Sequence, residues 1–381
     1  MPRWDVNFDM RLNYQHPEIV SCVARAYALA DVIRDIPIPP HVKDMLDALN
    51  ILRAVRGTTG IEGVELTEDE VRQIMQSPPK KSILPPNRSR EEQEARNAQK
   101  VMSYVVKELT PDPNIPLTEK LICTIHRITT KDINYPDNIP GKYRTHDVHA
   151  GSYLPPRGAH VRKLMGEFVK WFNTDVRLAW DPTVRAIVAH FYVVSIHPFG
   201  DGNGRTARGV ESFLLYQAGA NARSFYSLAN YYYQHRQEYV QFLDHVRFQT
   251  NGDLTPFILF ALRGLVSELQ QVHTEVLMNV KKIAFRDYAR EQLDLSNKLG
   301  SSTGERMSSL LVYLSRGETV SLRAIRSGNH ALSRLYHKLT PKTLSRDINF
   351  LKEHELIIVE GDELRANLDV MTRYTPPLES M

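Results

Sequence analysis

The sequence predicts a mainly α-helical fold with a small β component, and three observations carry that prediction. Apolar residues recur at helical spacing along most of the 381-residue chain. One turn-rich stretch, 134–160, interrupts this pattern with short alternation around Tyr143–Tyr153 and reads as a β-hairpin or ordered loop. The C-terminal part closes with helical patterns followed by two short apolar runs about a turn.

Residues 17–35 carry Ile19, Val23, Tyr27 and Ala30 at helical spacing, and IPIPP at 36–40 stops that helix. A second helix fits 42–56, with Met45, Leu46, Leu49, Leu52 and Val55 on one face, and runs into GTTGIEG at 57–63. Thr67 followed by Glu70 predicts a capping box for a third helix. SPPKKSILPPNRS at 77–89 reads as a loop between subdomains. Helical patterns then cover 90–109, 117–131, 161–175, 183–196, 205–218, 235–249 and 255–293. DLSNKLGSSTG at 294–304 reads as a linker. Beyond it, ERMSSLLVYLS reads as a helix, and another opens with Thr340 as N-cap and Pro341 at the first helical position. LIIVEG and ELRANL flank the turn Glu360–Gly361–Asp362, the order expected of a winged helix-turn-helix. The expected division is a helical region at 1–89, a core at 90–295 and a winged-helix-like domain at 296–381.

Composition narrows the function classes. With 42% hydrophobic and 24% charged residues the chain reads as globular, and a net charge of +4 is too small to imply a polyanion partner for the whole molecule. Cys22 and Cys123 lie in apolar runs, which points to reduced core residues of a cytoplasmic protein rather than a disulfide framework. No apolar stretch is long enough for a membrane span, and the polar start MPRWDVNFDM is no signal peptide.

The chemistry concentrates in HPFGDGNGRTAR at 197–208. A strongly apolar helical segment precedes it and an amphipathic one follows, so GDGNG is a turn leading into a helix N-terminus. Free N–H groups and the helix dipole make such a terminus an anion site, and glycines let the backbone close on a phosphate. Arg205 and Arg208 are three apart, on one face of the first turn, with guanidinium forks that suit phosphate oxygens. Asp201 is a Mg²⁺-type carboxylate, and His197 has an ordinary pKa near ~6.5, suited to accept a proton at neutral pH. Together these parts specify phosphoryl or nucleotidyl transfer to a hydroxyl. GNGRTA formally fits G-x-G-x-x-A, but a helix rather than a strand precedes it; no P-loop GK[ST] occurs.

HPFGDGNGRTAR resembles the Fic-family signature HPFxDGNGRxxR at every specified position, and the wider resemblance covers roughly 90–270. It implies a Fic-type helical core with a β-hairpin flap. It also implies transfer of AMP from ATP to a Ser, Thr or Tyr hydroxyl of a target protein, with release of pyrophosphate. On this resemblance His197 is the general base and Asp201 holds Mg²⁺ (or Mn²⁺). Gly202, Asn203 and Gly204 line the anion cradle, with Asn203 near the α-phosphate. Arg205 takes the β-phosphate and Arg208 the γ-phosphate. Such cores often self-associate, which would make a homodimer.

TTGIEG at 58–63 resembles the family's inhibitory motif [S/T]-x-x-x-E-[G/N], matched by Thr58, Glu62 and Gly63. The resemblance implies that Glu62 pairs with Arg208 where the γ-phosphate would sit, a class II arrangement. A bidentate Arg–carboxylate contact is a strong one. Read without the family, the same residues are a helix C-cap with Gly63 at C′. In some family members the glutamate also positions a water that removes AMP, so a de-AMPylase or another nucleotidyl or phosphoryl transferase is an alternative.

Family members dock the target protein on a hairpin flap, here expected at 141–156. His146, Asp147 and His149 within it read as polar flap residues rather than metal ligands. Tyr231 and Tyr232 are candidates for a purine slot or for packing. In the C-terminal module, 316–346 holds seven basic residues and one acid, Glu318, while 347–369 holds seven acids against Lys352 and Arg365. The basic region fits DNA phosphate contact. The acidic wing opposes it, so a protein contact or dimerisation is favoured over DNA. A reading from another class is a DNA-binding regulator whose core senses nucleotide; the intact His197 favours an enzyme, since a sensor needs no base.

Overall fold

The structure is a computed structural model, and it describes residues 4–78, 81–107, 112–151, 153–220, 228–250 and 252–372. The chain divides into two compact units, 1–273 and 274–381. Among the described residues no helix is long and apolar enough to cross a membrane.

The first unit opens with α1 (Pro17–Asp35), α2 (Pro40–Ile61) and α3 (Glu68–Gln76). The expected capping box is present: Thr67 Oγ1 accepts from the Glu70 N–H, and the Glu70 carboxylate accepts from the Thr67 N–H. α2 runs past 56 through Ile61, because its glycines are packing contacts rather than breakers. A Cβ on Gly57 would lie 2.6 Å from the Ala229 carbonyl oxygen, and one on Gly60 would strike the Tyr233 ring. Gly57→Ala is therefore expected to overpack this seam and cost about 1–3 kcal/mol, seen as a lower urea midpoint for the first unit. An unchanged midpoint would contradict this close packing.

The second part of this unit holds α4 (Ser89–Lys107), α5 (Glu119–Thr129), α6 (Gly158–Phe172), α7 (Asp175–Leu178), α8 (Pro182–Ile196) and α9 (Asn203–Gln217). α10 (Leu228–Gln234) and α11 (Arg236–Phe248) follow, and then α12 (Thr255–Leu295). The break expected at 89/90 does not appear. Glu92 accepts the Ile83 and Leu84 N–H groups, both at 2.9 Å, and pairs with Arg96 at 2.7 Å, strapping the proline-rich loop to α4. Leu52, Val55, Val71, Ile74, Leu84, Ala95 and Ala98 then form one core across that point. The polar N-terminus also packs inward: Trp4 and Phe8 meet Phe191 and Tyr192.

At the expected flap, 141–156, the described residues hold one isolated bridge, Ala150–Tyr153, in place of a paired hairpin. The Arg144 N–H donates to the Pro198 carbonyl, and the carbonyls of His146 and Pro156 accept from the Arg144 guanidinium.

The second unit comprises the latter part of α12, α13 (Ser302–Leu314), β1 (Val320–Ser321), α14 (Leu322–Ser327), α15 (Pro341–Glu353), β2 (Ile357–Glu360) and β3 (Glu363–Ala366). Its boundary lies inside α12 rather than in the linker expected at 294–304. The strands pair antiparallel in the order β1-β3-β2, with Val320 opposite Leu364 and Val359 opposite Leu364 on its other side. Thr340 and Pro341 begin α15 as expected, although the threonine side chain makes no capping bond to the helix.

Candidate active site

The site is built on α8 and α9. The segment TVRAIVAHFYVVSI has almost no polar face, and every residue of α8 from Thr183 to Ile196 is buried. The helix ends there because Pro198 follows and His197 turns to φ 54°, ψ 58°. A left-handed histidine costs energy and needs support from its surroundings. Arg144 supplies it. Its Nε donates to the His197 carbonyl at 2.7 Å, while Nη1 and Nη2 donate to the carbonyls of His146 and Pro156, each at 2.7 Å. Its own N–H donates to the Pro198 carbonyl at 2.9 Å. One buried guanidinium thus ties the backbone at His146 and Pro156 to that of His197.

The bend beyond is rigid. Gly202 has φ +73°, and a Cβ there would meet the Thr130 methyl at 2.8 Å. The Asn203 side chain closes on the Phe199 backbone, accepting from its N–H at 2.8 Å and donating to its carbonyl at 2.9 Å. His126 stacks on Phe199 with ring centroids 3.6 Å apart. Its Nδ1 accepts the Gly141 N–H, so Nε2 carries the proton and donates to the Asp201 carbonyl at 3.0 Å. Burial holds the His126 pKa down at about 4, which keeps that tautomer neutral.

The His197 ring has one nitrogen engaged with backbone. Its Nδ1 lies 3.1 Å from the Val194 carbonyl, which can only accept, so Nδ1 carries the proton and Nε2 keeps its lone pair. Burial lowers its pKa to about 4, with the nearby Arg144 charge acting in the same direction. The ring lines a cleft of about 360 Å³ together with Glu62, Gly202, Asn203, Gly204, Arg208 and Arg236. That is within the range of small-ligand sites.

No side chain caps α9, and its hydrogen bonding starts with the Thr206 N–H on the Gly202 carbonyl. The N–H groups of Asn203, Gly204 and Arg205 are left for an anion. The Glu62 carboxylate lies against Gly204 in this first turn. A Cβ on Gly204 would collide with its Oε1. Arg208 Nη2 donates to Glu62 Oε1 at 2.6 Å and to the Thr58 carbonyl at 3.0 Å, while Nε donates to Thr58 Oγ1 at 2.9 Å. The contact thus uses one carboxylate oxygen, not the expected two-pronged pair, because Thr58 takes the guanidinium edge. Burial pushes the Glu62 carboxyl up, but Arg208 and then Arg205 outweigh it and hold it below the usual carboxylate range. Gly63, at φ +91°, also ends α2 as a C′ glycine.

Several expected residues sit otherwise. Arg205 does not line the cleft. It is buried, with Nη1 on Glu94 Oε2 at 3.1 Å and on the Tyr135 hydroxyl at 2.7 Å, and Nη2 on Asp201 Oδ1 at 3.0 Å. The Asn203 side chain staples the bend, so only its N–H faces an anion. Tyr232 is fully buried, donating to Glu211 at 2.8 Å and stacked on Tyr239, and Tyr231 packs against Gly264 and His235. Neither reaches the cleft; Tyr239, Val240 and Leu243 of α11 do. His149 lines the cleft, whereas Asp147 accepts from the Gly158 N–H at 2.7 Å.

Arg236 and Arg247 also line the cleft and were not foreseen. Arg247 pairs with Asp244 at 3.2 Å and lies over the Tyr153 ring at 4.1 Å. Arg236 donates to the Ile61 carbonyl at 2.9 Å, at the end of the helix that presents Glu62. Asp201 fits a divalent cation. Its Oδ1 is taken by the Gly202 N–H and Arg205, no described hydrogen bond uses Oδ2, and the side chain is 39% exposed. One carboxylate plus phosphate oxygens is a donor set that Mg²⁺ takes.

An uncapped helix N-terminus beside a neutral imidazole, backed by arginine, is an arrangement that suits a phosphate anion. Residues 116–215 match the Fic/DOC family. Protein adenylyltransferase Fic of Aedes aegypti is 34% identical over 160 residues, 42% of this chain and 30% of its own length. The protein of that name from Drosophila melanogaster is 33% identical over 160 residues, with the same 42% and 30% coverage. The chain thus spans less than a third of the length of these curated relatives. Among solved structures, a Fic family protein from Desulfovibrio desulfuricans G20 superposes with a TM-score of 0.54. It is 19% identical over 96% of this chain and 98% of that one. Fic-1 from C. elegans gives a TM-score of 0.50 at 24% identity, over 67% and 71%. These two likenesses show the helical Fic fold.

Proposed function

We propose that this protein is an adenylyltransferase that moves AMP from ATP to a hydroxyl of a target protein, and that Glu62 restrains it. The observation that carries this reading is the pairing of an unprotonated His197 with the uncapped N-terminus of α9. The target oxygen gives its proton to His197 Nε2 and attacks the α-phosphorus. The bond from that phosphorus to the α,β-bridging oxygen breaks, and pyrophosphate leaves. The N–H groups of 203–205 hold the phosphate charge as it shifts. Arg208 would receive the terminal phosphate once Glu62 is displaced. Asp201 would hold Mg²⁺ or Mn²⁺, which supplies charge neutralisation between phosphates. Arg205 acts from behind, orienting Asp201. The purine would lie against Tyr239, Val240 and Leu243, in place of the Tyr231 and Tyr232 slot. A target segment would enter past 141–156, where His149 and Tyr153 line the cleft.

The Thr58, Glu62 and Gly204 contacts support the restraint, because the carboxylate lies where an anion at this helix terminus would. The second unit is read as a winged helix-turn-helix from its helix and strand order.

The test is incubation with ATP labelled at either end. Label at the α-phosphate should become covalently attached to protein, and label at the γ-phosphate should not. Transfer of the γ-label would replace this reading with a kinase.

A further inference from the structure

We propose that the second unit binds the phosphate backbone of duplex DNA in a groove beside α15. Lys298, Arg326, Lys342 and Arg346 line this groove together with Ser345 and Asn349. Arg326, Lys342, Arg346 and Asn349 are exposed, and Arg326 Nη2 reaches Ser345 Oγ at 3.4 Å. Cations from α14, α15 and the loop before α13 therefore line one trough, with hydrogen-bonding side chains between them. That combination matches a chain of phosphates rather than one small anion.

Three of the seven acids that weighed against DNA in the sequence make contacts inside the unit. Asp347 lines the same groove but is buried and held by Arg306 at 2.7 Å. Asp362 caps α14, accepting from Ser321 Oγ and, at 3.1 Å, from the Arg323 N–H. Glu360 meets Arg365 at 3.4 Å. Glu353 is the one further acid on the groove wall among the described residues. Four cations against Glu353 leave the trough net positive, while the whole chain is near neutral. An acidic protein segment would satisfy the same charges. The side-chain amide and hydroxyl groups at Asn349 and Ser345, on an α-helix whose first turn carries Lys342, favour DNA, since such groups serve phosphates and base edges alike.

The experiment is fluorescence anisotropy of the full chain with a labelled random-sequence 30-mer duplex across a salt series. Four neutralised phosphates predict a log–log salt slope of about −3.6, a loss of roughly 150-fold in affinity between 50 and 200 mM salt. Lys342→Glu/Arg346→Glu, both exposed, is expected to weaken binding at least tenfold with an unchanged melting temperature and unchanged AMP transfer. Arg365→Glu, off the groove, should change it less than twofold. Three results would overturn the proposal: no salt-dependent binding by the wild type, equal binding by the folded double variant, or tighter binding of a polyglutamate peptide than of the duplex. AMP transfer is read separately, so its absence would not bear on this groove.

Discussion

His197→Ala is expected to lower AMP transfer from ATP about 10²–10⁴-fold. The ring lies in the cleft with Nδ1 spent on the Val194 carbonyl, so Nε2 is the nitrogen left to take a proton. ATP binding should change little, since the phosphate donors are the N–H groups of 203–205 and the arginine beyond. The pH profile adds an independent check. An ordinary histidine base would give an acid limb near ~6.5. Here burial depresses the pKa to about 4, so the base stays unprotonated down to that region. Activity is lost only as pH falls through that depressed value, and kcat/KM should show no histidine limb between about 5 and 7. A limb at the ordinary value would show that the ring is not desolvated as described. Full activity in the alanine variant would remove it from the chemistry.

Glu62→Gly is expected to raise AMP transfer at least tenfold. The carboxylate covers Gly204 at the helix terminus and takes Arg208 Nη2 at 2.6 Å, so its removal frees both for a triphosphate. Arg208 keeps its Thr58 contacts at 2.9 and 3.0 Å, so the guanidinium stays in place without its acid. The variant should therefore be active and folded. Initial rates of α-label incorporation, measured beside wild type, decide this. A rate no higher than wild type would leave Glu62 as a helix-end residue only.

Much of this site could be read from local sequence. The helix at 17–35 and the Thr67–Glu70 box depend on residues within one turn of each other, and both appear in place. The glycine bend, the helix after it and the end of α8 at Pro198 are local too. Arg205 shows where such reading stops. Spacing alone puts it on the face of Arg208, but Glu94 and Tyr135 come from segments remote in sequence and draw it inward. His126 and Arg144 escaped for the same reason, since what they hold is backbone contributed by other segments. The cleft wall is a different case. Arg236, Tyr239, Val240, Leu243, Asp244 and Arg247 fall at helical spacing along α11, and that stripe was legible. The neighbouring aromatics at 231 and 232 were the louder signal, but they are core residues. Among the described residues the hairpin is reduced to the Ala150–Tyr153 bridge, and alternation does not reveal that the Arg144 guanidinium and the Tyr153 hydroxyl are engaged with backbone at the end of α8.

A crystal structure of Glu62→Gly with Mg²⁺ and a non-hydrolysable ATP analogue bears most directly on the joint use of His197 and the α9 terminus. The account predicts the triphosphate over the N–H groups of 203–205, its last phosphate on Arg208 and its α-phosphorus facing His197 Nε2. A nucleotide bound elsewhere, or one whose α-phosphorus faces away from that ring, would contradict it.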